Sequence, residues 1–271
     1  MRVVRGTMRP TQTGAGSVAV SAACLTDTGP TRASNEDNVV VRTPEDIGAL
    51  LSKGVLALVA DGMGGHQGGE VASGIAVRRV PEVYYGEQAP PHDALLKAFD
   101  VANREILEAA WHDEKLQGMG TTCTAVAVVN GMAYLAHVGD SRAYLVRAAQ
   151  IYCITEDHSA TMELVRQGLL TRAEAHNHEG RNIILRAMGT HPHLEPQSLP
   201  EPLALWPEDR LVLCSDGLYD TIAEDEICAI AAAEAPEEAC RKLIRMAIER
   251  LASDNVSVAV LGFASATLEA S

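Results

Sequence analysis

The chain has 271 residues, 47% of them apolar, which is enough for one large domain with a substantial core. Thirty-six acidic residues against 22 basic ones leave a formal charge of −14, a surface that repels nucleic acid and anionic membranes and leaves carboxylates to spare for cations. The six cysteines (Cys24, Cys123, Cys153, Cys214, Cys228 and Cys240) form no CxxC pair and lie mostly in apolar runs, so they read as buried reduced thiols of a cytoplasmic protein, with no structural zinc site expected.

Residues 1–16, rich in Gly, Thr and Arg, read as a flexible tail, as do residues 266–271. The basic start and the short apolar run at 17–25 faintly resemble a secretory leader. Serines interrupt that run, and it leads directly into a polar turn, so a strand is the better reading. No stretch approaches the length of a membrane-spanning helix. Strands are expected at 18–25, 38–41 and 55–60, then helices at 70–85 and 93–111. In the second helix Leu95, Phe99, Ala102 and Ile106 share one face. A meander of strands follows at 122–129, 133–138, 143–147 and 151–155, with Asn130-Gly131 as a hairpin signal. The more polar segment 159–190 reads as a mobile flap. A strand at 210–214, a helix at 237–251 and a strand at 256–261 complete the chain. With no internal repeat and no long linker, residues 17–265 read as one domain. Strands in runs, with helices between and after them, favour an α+β layered sandwich over a doubly wound parallel sheet.

Four acidic positions share one setting. Asp61 ends the run Val55-Leu56-Ala57-Leu58-Val59-Ala60, and Asp216 follows Leu211-Val212-Leu213-Cys214-Ser215. Asp254, with Asn255, precedes the last strand, and Asp37, beside Glu36, precedes Val39-Val40-Val41. A carboxylate at the end of an apolar strand is costly to desolvate without a partner. Too few Lys and Arg residues lie nearby in sequence to pair with all four, whereas divalent cations would satisfy them together. Hard oxygen donors favour Mg²⁺ or Mn²⁺ over zinc. Two such ions can activate a water at neutral pH, so no side-chain nucleophile is needed, and the chain has no GxSxG. Arg32 presents a fork suited to two phosphate oxygens, or else makes a surface ion pair with Glu36 four residues on. The loop after Asp61 carries five glycines in the eight positions 62–69, allowing close backbone approach to an ion or a phosphate. His66 in that loop reads either as a general acid or as a solvated loop residue.

The segments Arg32…Asn35-Glu36-Asp37, Asp61-Gly62-Met63-Gly64-Gly65, Gly120-Thr121-Thr122, Gly139-Asp140-Ser141-Arg142, Ser215-Asp216-Gly217 and Asp254-Asn255 resemble, in order, the motifs of the metal-dependent protein phosphatase (type 2C) family in its bacterial form. The resemblance implies a four-layer α/β/β/α sandwich of two mainly antiparallel sheets, with a dimetal site at one end. It implies that Asp61 bridges two Mn²⁺ or Mg²⁺ ions, that the Gly62 carbonyl joins the second, and that Asp216 and Asp254 complete the first. Asp37, with Glu36 beside it, would hold the second ion, directly or through water. Arg32 would bind the substrate phosphate. Asp140 would seed the third metal found in bacterial members, with Asn177 or a neighbour in the flap as a further ligand. Met63 stands where animal members carry a histidine proton donor, so either His66 or a metal-bound water supplies the leaving-group proton, or the step relies on less acid help. The activity implied is hydrolysis of phosphoserine and phosphothreonine in proteins, reversing a Ser/Thr kinase. The alternatives are a non-catalytic module that binds phosphorylated proteins and a hydrolase of small phosphoesters.

Overall fold

The structure, a computed structural model, describes residues 6–7, 18–64, 68–176 and 178–265. Its elements run β1 (Gly6–Thr7), β2 (Val18–Asp27), β3 (Asp37–Arg42), α1 (Ile47–Lys53), β4 (Val55–Met63), α2 (Gly68–Gly86) and α3 (Pro91–His112). A 3-10 turn at Glu114–Leu116 leads to β5 (Gly120–Thr121), β6 (Cys123–Val129), β7 (Met132–Val138), β8 (Arg142–Arg147) and β9 (Gln150–Cys153). Then come α4 (Ala160–Arg166), α5 (Arg172–His176), β10 (Gln197–Ser198), β11 (Leu203–Ala204) and β12 (Arg210–Cys214). The last elements are α6 (Asp216–Tyr219), α7 (Glu224–Ala233), α8 (Pro236–Glu249) and β13 (Val256–Ser265).

The strands build two antiparallel sheets, one in the order β1-β2-β13-β12-β8-β9 and the other β10-β7-β6-β4-β3, with β11 on β7 and β5 on β4. Period-two alternation dictates the layering. In β4, Leu56, Leu58 and Ala60 pack under α2 and α3, while Val55, Ala57 and Val59 face the other sheet. In β12, Leu211 and Leu213 face inward between the sheets, while Val212 and Cys214 pack under α6, α7 and α8. Both strands therefore read as continuous apolar runs because both of their faces are covered. The outcome is the α/β/β/α sandwich expected from the motifs. The hairpin signal holds as well: Asn130 and Gly131 have φ of 50° and 76°, the pair of positive values a two-residue β6–β7 turn needs.

Several boundaries differ from the sequence reading. α1, α6 and α7 were not anticipated; α6 is four residues long and buries Leu218, while α1 is started by Asp46, whose side chain accepts from Ala49 N. Leu251, the expected last residue of the final helix, is 76% exposed with φ of 59°, because the chain leaves α8 just before it. Cys153 is exposed rather than buried, because β9 is an edge strand. Within the segment read as a tail, Gly6 and Thr7 pair with Ala22 and Ser21 of β2.

Strand register sets the location of the site. Asp37 lies directly opposite Asp61 across the β3–β4 ladder. Cys214 at the end of β12 pairs with Arg142 at the start of β8 and with Val258 near the start of β13. Cys123 at the start of β6 pairs with Val138 at the end of β7. Antiparallel pairing thus brings the Asp37, Asp61, Asp140, Asp216 and Asp254 turns to one end of the sandwich.

Candidate active site

Hydrogen bonds made by Ser215 and Asn255 stitch the sheets together at this end. Ser215, leaving β12, donates its hydroxyl to Asp37 Oδ2 at 2.7 Å, and the same Oγ accepts from Ser257 N at 3.0 Å. Asn255 accepts from Glu36 N through Oδ1 at 2.9 Å and donates through Nδ2 to Thr28 O and Ser34 O. Asn255 is therefore a clamp on the Arg32 loop. Asn35 Oδ1 accepts from Asp37 N at 3.1 Å and orients that aspartate from its own loop.

Asp61 is held through its backbone. Its N–H donates to Thr122 Oγ1 at 2.9 Å, and its carbonyl accepts from Thr122 N and Thr121 Oγ1. Thr122 Oγ1 in turn shares a 2.7 Å hydrogen bond with Ser141 Oγ, which ties the Asp61 turn to the Asp140 turn. The motif glycines mark the places where these turns cross. A Cβ on Gly62 would lie 2.1 Å from Gly69 O and 2.6 Å from Glu36 O, and one on Gly217 would lie 2.1 Å from Asn255 O. Both clashes are with backbone atoms, so no side-chain rotation relieves them.

The Asp140 turn has its own brace. Arg142 forks onto Asp157 (Nε–Oδ1 3.0 Å, Nη2–Oδ2 2.7 Å) and stacks 3.9 Å from the centroid of the Tyr219 ring. The Tyr219 hydroxyl donates to Asp140 O at 3.0 Å. A cavity of about 370 Å³ opens beside this brace, with Asp140 and Asp216 in its wall.

The electrostatics are those of like charges held together. Burial is the main force raising the Asp61 carboxyl well above its ordinary range, and Asp37, Asp216, Asp140 and Asp254 add to it. Asp216 is raised well above its range by burial and then by Asp140, Asp254 and Asp37. Burial pushes Asp37 up to about 6, against the lowering hydrogen bonds from Ser215 and Ser257. Burial, then Asp157, pushes Asp140 up to about 7. Asp140 Oδ1 and Asp216 Oδ1 are buried with no hydrogen-bond partner among the described residues. Orphaned carboxylate oxygens in a field of further carboxylates are a poor design for the protein alone and a good one for a divalent cation. Among the described residues no three such side chains already close on a single point as a metal cage. Protein donors hold some of the oxygens: Asp37 Oδ2 accepts from Ser215 Oγ, and Asp254 Oδ2 from Arg32 Nη2.

Most of the residues singled out in the sequence meet here. Arg32 pairs with Asp254, Nη2 to Oδ2 at 2.6 Å, rather than with Glu36, and stays 53% exposed at the rim. The Glu36 carboxylate lies against Gly69 in the first turn of α2, while its backbone carbonyl accepts from Gly62 N and Ser73 Oγ. Met63 is half-buried, its methyl group against Gly120. His66 and Asn177 lie outside the described residues. Sequence reasoning gave no role to Ser215, Thr122, Asp157 or Tyr219. Ser215 and Thr122 were visible as neighbours of the aspartates within their motifs, but their partners are far away in the chain.

The Protein phosphatase 2C family profile matches residues 46–257. The serine/threonine protein phosphatase PstP of Mycobacterium tuberculosis is 38% identical over 244 residues, covering 88% of this chain and 44% of PstP, so the chain spans less than half the length of that relative. The serine/threonine phosphatase stp of Listeria innocua is 38% identical over 207 residues, covering 74% of this chain and 79% of stp. The PstP catalytic domain, solved in complex with two manganese ions, superimposes with a TM-score of 0.78 at 32% identity, covering 91% of this chain and 99% of that one. With a matching profile over most of its length, the same four layers and the motif turns gathered at one end, the chain belongs to the protein phosphatase 2C family.

Proposed function

We propose that this chain hydrolyses phosphoserine and phosphothreonine in proteins, with Mn²⁺ or Mg²⁺ held by the carboxylates at the end of the sandwich. The observation that carries the reading is the buried carboxylate cluster with two orphaned oxygens, beside an exposed arginine. Asp61, Asp216 and Asp254 would hold one ion. Asp61 again, the Gly62 carbonyl and Asp37, with Glu36 beside it, would hold the other. Asp140 and Asp216, each with an unpartnered oxygen, would supply donors for a third. When bound, such ions polarise the phosphoryl oxygens and lower the pKa of water.

The chain's own residues do the rest. Ser215, Asn255 and the Thr121-Thr122 pair fix the turns that carry the carboxylates, which leaves side-chain rotation as the adjustment an ion would require. Arg32 donates Nη2 to Asp254, and its exposed guanidinium would meet a phosphate bound beside the same aspartate. Arg32 would then bring positive charge to the phosphoryl oxygens, where charge gathers in the transition state. Met63 has no proton to give and takes no part as a general acid.

The counterpart of this activity is a Ser/Thr kinase that supplies the phosphorylated substrates. Among the described residues no helix is long and apolar enough to cross a membrane. The deciding experiment is turnover of phosphoserine, phosphothreonine and phosphotyrosine peptides, nucleotides and sugar phosphates, with Mn²⁺ and with chelator. Phosphoserine or phosphothreonine peptides should be hydrolysed only with the metal. Preferential turnover of small phosphoesters, or peptide turnover that survives chelation, would overturn the proposal.

A further inference from the structure

We propose that Thr124 and His137 are positioning residues for the carboxylate turns, with His137 carrying its ring proton on Nδ1 so that Thr124 holds Ser141; this rests on the metal-dependent phosphatase reading above. The two residues face each other across the β6–β7 ladder. From the same faces of these strands, Val126, Val128, Ala133 and Leu135 fill the apolar space between the sheets. Two polar side chains, both fully buried, therefore stand where the strand pattern calls for apolar ones. Such burial is costly unless the polar atoms satisfy one another.

Hydrogen bonds run from this pair to the carboxylate turns. Thr124 Oγ1 lies 2.8 Å from His137 Nδ1 and 2.9 Å from Ser141 O. Ser141 follows Asp140, and its Oγ shares the 2.7 Å bond with Thr122 Oγ1, the acceptor for Asp61 N. Ser141 is thus held at carbonyl and hydroxyl alike, between the Asp61 and Asp140 turns. Proton counting decides the state of the ring. A threonine hydroxyl has one proton to give, and Ser141 O can only accept. If Thr124 donates to Ser141 O, His137 must donate from Nδ1, and Nε2 is left bare 3.2 Å from Glu156 O. If His137 donates from Nε2 to Glu156 O instead, Thr124 turns its proton to Nδ1, and two oxygens face each other at 2.9 Å with no proton between them. Only a doubly protonated ring would serve all three contacts. Burial, and then His158, lowers His137 to about 3, so the ring is neutral near pH 7. A contact without a proton costs less at 3.2 Å than at 2.9 Å, which selects Nδ1–H. The nitrogen that carries the proton is thereby tied to the grip on Ser141.

The test uses the full chain. Nitrogen-15 NMR of the histidine rings, with chelator and near pH 7, should show the His137 proton on Nδ1, the signal being identified by its loss in His137→Asn. Mn²⁺ affinity, measured by calorimetry, should fall about tenfold in Thr124→Val, which keeps the shape and removes the hydroxyl, and should recover in Thr124→Ser. His137→Asn, whose amide reaches Thr124 from the Nδ1 position, should bind Mn²⁺ nearly as the unmodified chain does. His137→Gln, whose amide lies toward Glu156, should lose about as much as Thr124→Val. A purely structural role would lower the urea midpoints of these variants and leave Mn²⁺ affinity unchanged; that result would overturn the proposal, as would a His137 proton on Nε2. If the unmodified chain bound no Mn²⁺, the metal reading would fall and the positioning role with it, while the ring spectrum would still decide where the proton sits.

Discussion

Withholding divalent cations should make this fold less stable as pH rises, the reverse of ordinary acid denaturation. Asp37 is buried, and its carboxyl moves from 3.8 to about 6 on folding. Below 3.8 it is protonated in both states and costs nothing. Between 3.8 and about 6 the unfolded chain loses this proton while the folded chain keeps it, so stability falls with rising pH. Above about 6 the loss is complete, at about 3 kcal/mol for this shift. Asp140, raised to about 7, extends the window upward, although interacting sites do not contribute additively. A domain of this size shifts its melting temperature by about 2–4 °C per kcal/mol, so the Asp37 contribution alone is worth about 6–12 °C. The assay is thermal unfolding from pH 5 to 8, with chelator and with saturating Mn²⁺. The stabilisation by Mn²⁺ should widen toward pH 8, and Asp37→Asn should reduce the widening. A gap between the two curves that is constant or shrinks with pH would refute the argument that uncompensated buried carboxylates dominate this end of the fold.

Replacing Asp216 or Asp254 with Ala should remove Mn²⁺-dependent turnover while circular dichroism stays native; unmodified rates in either variant would exclude the proposed metal ligands. Arg32→Ala should raise the phosphopeptide KM on the order of tenfold or more, since charge-assisted hydrogen bonds contribute about 1.5–3 kcal/mol, with Arg32→Lys recovering only part through loss of the fork. Ser215→Ala strands the buried Ser257 N–H and frees Asp37 Oδ2, and urea unfolding should show a loss of about 1–3 kcal/mol. Arg147→Ala leaves Asp209, 2% exposed, without its forked partner, and should cost about 3 kcal/mol with the kinetic constants unchanged.

The long elements were legible because both of their faces or one whole stripe is apolar: β4 and β12 as unbroken runs, α3 through Leu95, Phe99, Ala102 and Ile106. The helix α7 was missed although its Ile227, Ile230 and Ala231 are buried, and α1 is only seven residues long. Two-residue strands such as β10 and β11 have no period to read, and they exist only because β7 offers an unpaired edge. In the site, the aspartates were legible because a charge at the end of an apolar run is costly anywhere in a fold. The pairing of Arg32 was not legible, because sequence spacing offered Glu36 while the structure brings Asp254 from 222 residues away.

By itself, then, the sequence showed which long runs are apolar and which turns carry charge that cations would offset, because hydrophobic periodicity and desolvation act on local runs. Only the tertiary structure decided that Asp37 faces Asp61 across a ladder and that Ser215 pins Asp37 from the other sheet. These are choices of register and loop crossing between distant segments. They are set by the packing of two sheets on each other, and no window along the chain contains both partners.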